Sequence, residues 1–570
     1  MLQLELEFYF NLFKIYTNMK IALAQLNYHI GDFEKNSTKI IDQIEKAKSD
    51  QVDLLVFSEL SVCGYPPQDL LEKKTFIEQC EIAVEEITPY CTNIGVILGS
   101  PTLNFHQKGK RLFNSAIFIA EGEVKYIQNK TLLPTYDIFD EYRYFEPNDK
   151  FNIVEYKGKK IAITICEDLW DFQPTENTFA KNQLYNVTPM DKLVEYKPDF
   201  VVNIAASPFS YTKIWGRKNV FIRNAKKYKL PFFTVNQVGA QTELIFDGGS
   251  LVVNPDGTIA DEMNLFSEDY KIYDLDEITK CKIKKTIDED PNVIAKIHDA
   301  LVLGIKDYFK KMKFSNATLG LSGGIDSAVS LVIAQRALGA ENIRVLLLPS
   351  KYSSDHSIND AEVLAKNLNI RYDIINIQEV VDSFNKSLNN VFKGLHEDIT
   401  EENIQARARG TILMALSNKF GHILLNTSNK SESAVGYGTL YGDMNGGLSV
   451  LGDVYKADVY KLARYINRDQ EIIPDNTIVK PPSAELRPDQ KDSDSLPDYD
   501  ILDKILFEYI ELQKPIEEII EDGYDKTTVK RIIKLVDSNE YKRYQAPPIL
   551  RISSKAFGAG RRMPLVAKYN

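Results

Sequence analysis

The chain has 570 residues, too many for one hydrophobic core and enough for about three or four domains of ordinary size, or two large ones. Sixty-nine Lys+Arg against 80 Asp+Glu leave a formal charge of −11, which repels a polyanion and argues against nucleic acid as a partner. The five cysteines include no Cys-x-x-Cys pair and no two of the six histidines lie three to five residues apart, so neither a disulfide framework, a zinc site nor a helix-borne histidine metal pair is indicated. A reducing, cytoplasmic compartment is expected, and no run approaches the ~18–20 apolar residues of a membrane span.

Residues 1–18 are aromatic-rich, with Glu5 and Glu7 ahead of the apolar stretch. A signal peptide carries its positive charge first and has a longer apolar core, so this segment reads as an extension and Met19 as the natural start. From Met19 the pattern changes. Short apolar runs at 21–26, 53–57, 94–99, 115–120, 161–165, 200–204, 232–236 and 250–254 alternate with helix-like stretches, which predicts an α/β sandwich over 19–275.

Some of these runs end in reactive groups. Ser58-Glu59 closes one in a carboxylate, Ile165-Cys166-Glu167-Asp168 closes another in a thiol, and Asn129-Lys130-Thr131 lies between them. A free thiol has a pKa of ~8.5, so it needs a neighbouring ammonium or a carboxylate base to become a nucleophile at neutral pH. Taken singly, a buried cysteine, a solvated carboxylate and a surface lysine are the ordinary readings. In the order Glu59, Lys130, Cys166 they resemble the Glu-Lys-Cys triad of the nitrilase (carbon-nitrogen hydrolase) superfamily. That resemblance implies Cys166 as nucleophile, Glu59 as proton acceptor and Lys130 as the group that steadies the tetrahedral oxyanion.

Two further strings, Cys63-Gly64-Tyr65-Pro66-Pro67-Gln68-Asp69-Leu70-Leu71 and Tyr136-Asp137-Ile138-Phe139-Asp140-Glu141-Tyr142-Arg143-Tyr144-Phe145, are similar to the glutaminase domain of glutamine-dependent NAD synthetases. By that resemblance Tyr136, Ser207 and Lys213 bind glutamine, while Phe139 and Glu167 line the same pocket. Cys63, Cys80 and Cys91 read as packing cysteines.

The charge-dense stretch 276–291, closed by Pro291, reads as a linker, and 292–570 as a second domain. Within it, Gly320-Leu321-Ser322-Gly323-Gly324-Ile325-Asp326-Ser327 sits between the apolar run 317–319 and the helix-like 328–334. A strand that empties into small residues and then a helix leaves backbone N–H groups converging on one point, as a phosphate requires. There is no Gly-Lys-Ser/Thr ending, so little would hold a γ-phosphate, whereas Asp326 can hold magnesium; the bond between the α- and β-phosphates is the one indicated.

The loop resembles that of the N-type ATP pyrophosphatases, which implies a doubly wound parallel sheet and adenylylation of a carboxylate or carbonyl. Four later strings resemble the NAD synthetase module. On Glu402-Asn403-Ile404-Gln405-Ala406-Arg407-Ala408-Arg409 the two arginines are spaced i, i+2 and diverge on a helix; the resemblance gives Asn403 and Arg409 to the dinucleotide. It likewise gives Thr427, Lys456 and Ser483 to ATP, Glu432 to a magnesium-dinucleotide site shared with Asp326, and Lys542 in the basic C-terminal stretch to the dinucleotide. Ammonia-dependent relatives carry a substrate lysine where this chain has Leu440.

The reaction implied is ATP-driven amidation of nicotinate adenine dinucleotide to NAD, with L-glutamine as nitrogen donor and AMP, pyrophosphate and glutamate as products. The resemblance also implies an ammonia passage and a homo-oligomer formed through the synthetase domain. Another pyrophosphatase-loop amidotransferase and a non-catalytic nitrogen-sensing module are the alternatives.

Overall fold

The computed structural model describes residues 19–106, 108–171, 184–286, 292–488, 490–494 and 496–568; the extension expected at 1–18 lies outside the described residues. The chain divides into two compact units between residues 291 and 292, residues Thr242–Leu244 grouping with the second.

The first unit holds two six-stranded sheets. One is built from β1 (Lys20–Gln25), β2 (Leu54–Val56), β3 (Gly95–Leu103), β4 (Leu112–Ala120) and β5 (Glu123–Asn129), the other from β6 (Val154–Tyr156), β7 (Lys159–Ile165), β8 (Phe200–Ala205) and β9 (Phe232–Asn236). After a hairpin of β10 (Val238–Gln241) and β11 (Leu244–Asp247), β12 (Leu251–Val253) and β13 (Ile259–Glu262) complete the second sheet and β14 (Asp269–Asp274) the first. The orders are β14-β1-β2-β3-β4-β5 and β13-β12-β9-β8-β7-β6.

Strand alternation creates the layers, because successive side chains face opposite sides of a sheet. Ile21, Leu23, Leu54 and Val56 meet Ile163, Ile165, Val202 and Val235 in a core between the sheets. Ala22, Ala24, Leu55 and Phe57 face outward onto α1 (Phe33–Ser49) and α2 (Lys74–Ile87) through Ile40, Ile44, Ala83 and Ile87. Ala162, Val201 and Phe232 pack on Phe221 and Ala225 of α3 (Ile214–Tyr228). The resulting order is helix, sheet, sheet, helix.

The eight runs read from sequence are all strands; besides the β10–β11 hairpin, those overlooked, β5, β6, β13 and β14, are the edges of the two six-stranded sheets. Such strands carry charge, as in Asp269-Tyr270-Lys271-Ile272-Tyr273-Asp274, so they lack the apolar run that marks a central strand. The stretch read as a linker stays with the first unit as far as residue 286. Leu275 and Ile278 enter the intersheet core, Asn254 Nδ2 donates to Ile283 O (2.8 Å), and Lys285 N donates to Ile259 O (2.9 Å). Residues 287–291 lie outside the described residues.

The second unit opens with α4 (Val293–Met312) and a five-stranded, wholly parallel sheet. Its strands are β15 (Ala317–Gly320), β16 (Ile343–Leu347), β17 (Arg371–Ile374), β18 (Ile423–Asn426) and β19 (Leu448–Ser449), in the order β17-β16-β15-β18-β19. Chain direction across the sheet reverses at β15, whose two neighbours come later in sequence, so a crevice opens at its carboxyl end. There the chain enters α5 (Ile325–Leu338), buried on every side from Ser327 to Ala334, with Asp326 left facing the crevice. Among the described residues, no helix is long and apolar enough to cross a membrane.

Two candidate active sites

In the first unit β7 delivers Cys166 in a left-handed backbone conformation, φ 43°, at the start of the short turn Cys166–Leu169. A non-glycine residue persists there only when its surroundings over-determine it. Asp168 supplies part of that constraint. Its Oδ2 accepts from Ile165 N (3.0 Å) and its Oδ1 from Thr131 N and Leu132 N (2.9 Å each), tying the backbone before Cys166 to the backbone after Lys130. Burial pushes this carboxyl up to about 6 against the pull of those amides.

Lys130 is sealed from solvent and donates to Glu59 Oε1 (2.7 Å) and to both oxygens of Glu141 (2.9 and 2.8 Å). Burial alone would lower the ammonium, but Glu141 and Glu59 outweigh it and hold it well above the ordinary lysine range. Asn114 Nδ2 donates to Glu59 Oε1 (2.7 Å), Ala206 N donates to Glu59 Oε2 (3.0 Å), and Tyr65 OH donates to Glu141 Oε1 (2.8 Å). Burial, with Glu59 next in strength and Lys130 opposing, pushes the Cys166 thiol well up. The thiol is thus neutral at rest, and a base must take its proton as it attacks.

Glu167 accepts from Tyr136 OH (3.0 Å) and from Tyr185 OH (2.9 Å), and burial pushes it up to about 7 although Lys130 and the two tyrosines pull it down. The Tyr136 and Phe139 rings meet edge to face at 5.5 Å. Ser207 and Cys166 line one small cavity. Lys213 is exposed at the residue preceding α3, whereas Arg217, one turn on, is half-buried against that cavity and paired with Asp247 at 2.7 and 2.6 Å. Glu141, Asn114, Asp168 and Arg217 escaped the sequence reading. Glu141 lies inside the string that follows Lys130, and its charge beside that motif was the available signal.

In the second unit the loop after β15 folds as a cradle. Ser322 Oγ and Ser327 Oγ lie 3.1 Å apart, Gly324 N donates to Ser322 Oγ (3.2 Å), and Ser327 Oγ donates to Gly324 O (2.9 Å). Gly323 has φ 78° and a Cβ there would lie 2.1 Å from Ser357 O, so glycine is required twice over. Gly320, Leu321, Ser322, Gly324, Ile325, Asp326 and Ser327 line a cavity of about 320 Å³ together with Arg409, Thr427, Glu432, Lys456 and Ser483.

The charges in that cavity are shared. Lys456 Nζ pairs with Asp326 Oδ2 and with Glu432 Oε1 (3.3 Å), and Asn429 Nδ2 donates to Asp326 Oδ1 (2.9 Å). Burial first and Asp326 second push Glu432 up to about 8, Lys456 opposing. No ready-made group of three or more His, Cys, Asp or Glu for a metal occurs among the described residues. Yet Asp326 and Glu432 converge on one cationic nitrogen, and two carboxylates with phosphate and water oxygens are the donor set magnesium takes. The residues present therefore fit the ion.

The two arginines of the 402–409 string diverge as their spacing requires. Arg409 Nε donates to Leu348 O (3.0 Å) beside the cavity, and Arg407 Nε donates to Leu440 O (3.2 Å). Burial lowers Arg409 to about 10, with Asp443 and Glu485 opposing. Asn403 Oδ1 accepts from Thr439 Oγ1 (2.8 Å), and Lys542 Nζ donates to Gly436 O (2.7 Å) and Gly438 O (2.8 Å). Neither lines the cavity itself; both hold the 436–444 turn, whose Tyr437, Gly442 and Asp443 do. Asp492, which no motif announced, lines the cavity and accepts from Tyr437 OH (3.1 Å) and Tyr499 OH (2.9 Å).

Comparison with known proteins bears on both units. Residues 20–172 match the carbon-nitrogen hydrolase family and residues 297–546 match the NAD synthase family. The glutamine-dependent NAD(+) synthetase of Synechocystis sp. is 45% identical over 96% of this chain and 99% of its own length. That of Acinetobacter baylyi is 42% identical over 96% and 98%. Among solved structures, the glutamine-dependent NAD+ synthetase of Acinetobacter baumannii in complex with ADP superposes with a TM-score of 0.75 at 40% identity, covering 96% of this chain and 99% of that one. One from Cytophaga hutchinsonii, 22% identical, covers 97% of this chain and 98% of its own with a TM-score of 0.79 and speaks for the fold alone.

Proposed function

The chain belongs to the glutamine-dependent NAD(+) synthetases, and from that membership we propose how its residues divide the chemistry. It is a ligase that amidates nicotinate adenine dinucleotide to NAD using glutamine and ATP. The family itself sets aside the other pyrophosphatase-loop amidotransferases.

In the first unit, Glu59 takes the Cys166 proton as sulfur attacks the glutamine side-chain amide. Lys130 faces the oxyanion; its charge is secured by two carboxylates, so it stabilises the anion by hydrogen bonding and field rather than by giving up a proton. Glu167, with Tyr136 and Tyr185 on its oxygens, meets the glutamine ammonium, and Phe139, Ser207 and Lys213 complete the pocket.

In the second unit, residues 292–570, the backbone and hydroxyls of Gly320, Leu321, Ser322, Gly323, Gly324, Ile325, Asp326 and Ser327 hold ATP, with Thr427, Lys456 and Ser483. Asn403, Arg409, Glu432 and Lys542 take the dinucleotide and direct its carboxylate to the α-phosphate. Asp326 and Glu432 would hold magnesium, which when bound neutralises charge on departing pyrophosphate. Lys456 serves as counter-ion to the two carboxylates. A homo-oligomer formed through this unit and a cytoplasmic location belong to the same reading.

One observation carries it: a single chain holds a buried Glu59–Lys130 pair beside Cys166 and, separately, a phosphate cradle beside converging carboxylates. The test is Cys166→Ala assayed with glutamine and with ammonium salts. Glutamine-driven NAD synthesis is lost and ammonia-driven synthesis persists; equal loss of both would refute the division, and unchanged glutamine-driven synthesis would remove Cys166.

A further inference from the structure

Next to Cys166 the second sheet of the first unit departs from its own hydrophobic pattern. On the face toward α3, two residues beyond Ala162, Val201 and Phe232, stand Thr164, Asn203 and Thr234, in cross-strand register. They are 0%, 0% and 3% exposed. Three adjacent polar side chains in a buried parallel sheet are unfavourable unless each finds a partner. Thr164 Oγ1 donates to Val202 O (3.2 Å) and accepts from Asn203 Nδ2 (3.0 Å), which fixes the amide's orientation and turns Asn203 Oδ1 away. Asn203 Oδ1 and Thr234 Oγ1 have no hydrogen-bond partner in the protein. Both residues, with Cys166, Ser207 and Arg217, line a cavity of about 10 Å³, room for the centre of one water-sized molecule.

We propose that this cavity is a binding site for one neutral hydrogen-bonding molecule with a single heavy atom: the ammonia released at Cys166 or the water that hydrolyses the acyl-enzyme. The inference rests on Cys166 being the glutaminase nucleophile. Asn203 Oδ1 accepts a hydrogen from the guest, and Thr234 Oγ1 donates or accepts, which suits NH₃ and H₂O alike. Arg217, the charged residue of the lining, is balanced by Asp247, so the wall holds no unpaired charge and matches a neutral guest. Chemically, one guest is released and the other consumed at the sulfur that walls the cavity. When Cys166 Sγ bonds to the amide carbon, the C–N bond breaks and nitrogen leaves as NH₃ with the thiol's proton, relayed by Glu59. Water oxygen then bonds to the thioester carbon, the C–S bond breaks, one water proton returns to sulfur, and glutamate departs.

The test uses the full chain with glutamine, ATP and nicotinate adenine dinucleotide, and measures glutamate and NAD separately. Thr234→Val removes the hydroxyl at nearly constant volume, and Thr234→Ser keeps it. Loss of one hydrogen bond predicts an effect of about fivefold in the valine variant, restored by serine. Alkylation of Cys166 by iodoacetamide and ammonia-driven synthesis report that both units remain folded. If the guest is the water, glutamate and NAD fall together and a thioester adduct accumulates on Cys166 in intact-mass spectra. If it is ammonia, glutamate output holds and NAD per glutamate falls. Wild-type rates of both products in the valine variant overturn the proposal. So does a wild-type crystal structure with no ordered molecule within hydrogen-bond distance of both Asn203 Oδ1 and Thr234 Oγ1, a measurement that does not depend on any variant folding. Absence of glutaminase activity in the wild type would overturn the assignment of Cys166 first, and this site with it.

Discussion

Lys130 in the first unit and Lys456 in the second are both buried lysines between two carboxylates, but their surroundings differ. Around Lys130 the acceptors are themselves occupied: Glu59 receives Asn114 and Ala206, and Glu141 receives Tyr65. Lys456, Asp326 and Glu432 instead line a cavity of about 320 Å³, with Glu432 held up to about 8 by burial and by Asp326. A covalent reaction on a small amide needs groups fixed before the substrate arrives. Phosphoryl chemistry needs groups that exchange partners when a polyanion and its counter-ion enter. The first network is built to stay closed and the second to be re-partnered.

The sharpest way to break that contrast is Asp326→Asn. Losing a carboxylate proposed to face the phosphates lowers NAD synthesis from glutamine and from ammonia alike by about 100-fold or more, while glutamate release, followed alone, continues. Next comes Glu141→Gln. Removing one partner from a buried pair costs of order 3 kcal/mol, here at the lower end because Glu59 still holds Lys130. Thermal unfolding of the first unit shifts down and glutamine-driven turnover drops by about 100-fold, with ammonia-driven synthesis as the unaffected control; a wild-type glutaminase rate would show that Glu141 is dispensable to the network.

Asp168→Asn is a smaller perturbation, since the amide keeps one acceptor oxygen and turns an NH₂ toward backbone N–H groups. About tenfold loss of glutaminase kcat is expected, with slower alkylation of Cys166; a change in glutamine KM alone would mean that the clamp does not position the thiol.

The smallest effect concerns pH. Glu167, at about 7, is ionised only above that value, so the glutamine KM falls several-fold from pH 6 to 8 and Glu167→Gln flattens the profile. The sign for the unliganded fold is opposite. A carboxyl raised in the native state contributes stability that is fully present below its unfolded value and is lost as pH rises through about 7. Glutamine should therefore raise the melting temperature more at pH 8 than at pH 6.

Much of the two candidate sites was legible because their residues sit where regular structure ends. The 161–165 run identifies the strand that brings Cys166 out, and the glycines before Asp326 announce the cradle. The runs at 21–26 and 232–236 are legible for the same reason, as central strands buried on both faces. Illegible residues have one property in common. Glu141, Asn114 and Asp492 each act through at least one partner remote in sequence, Glu141 through Tyr65, Asn114 through Glu59 and Asp492 through Tyr437, and no local pattern encodes such a pairing. The segment 276–286 looked like a linker because charge density resembles solvation, yet its lysines pair with Asp256 and Asp261 of the first unit.

By itself, then, the sequence determined the α/β class through its apolar runs, and through its motifs' resemblance to known families the two kinds of chemistry and their order along the chain, because runs, small-residue loops and motif strings are local signals. Only the tertiary structure decided which charges neutralise one another: that Lys130 answers to Glu141 as well as Glu59, that Lys456 bridges Asp326 and Glu432, and that Asn203 and Thr234 stand side by side next to Cys166. Electrostatic energy depends on distance through space and on desolvation, and neither is fixed until distant segments pack.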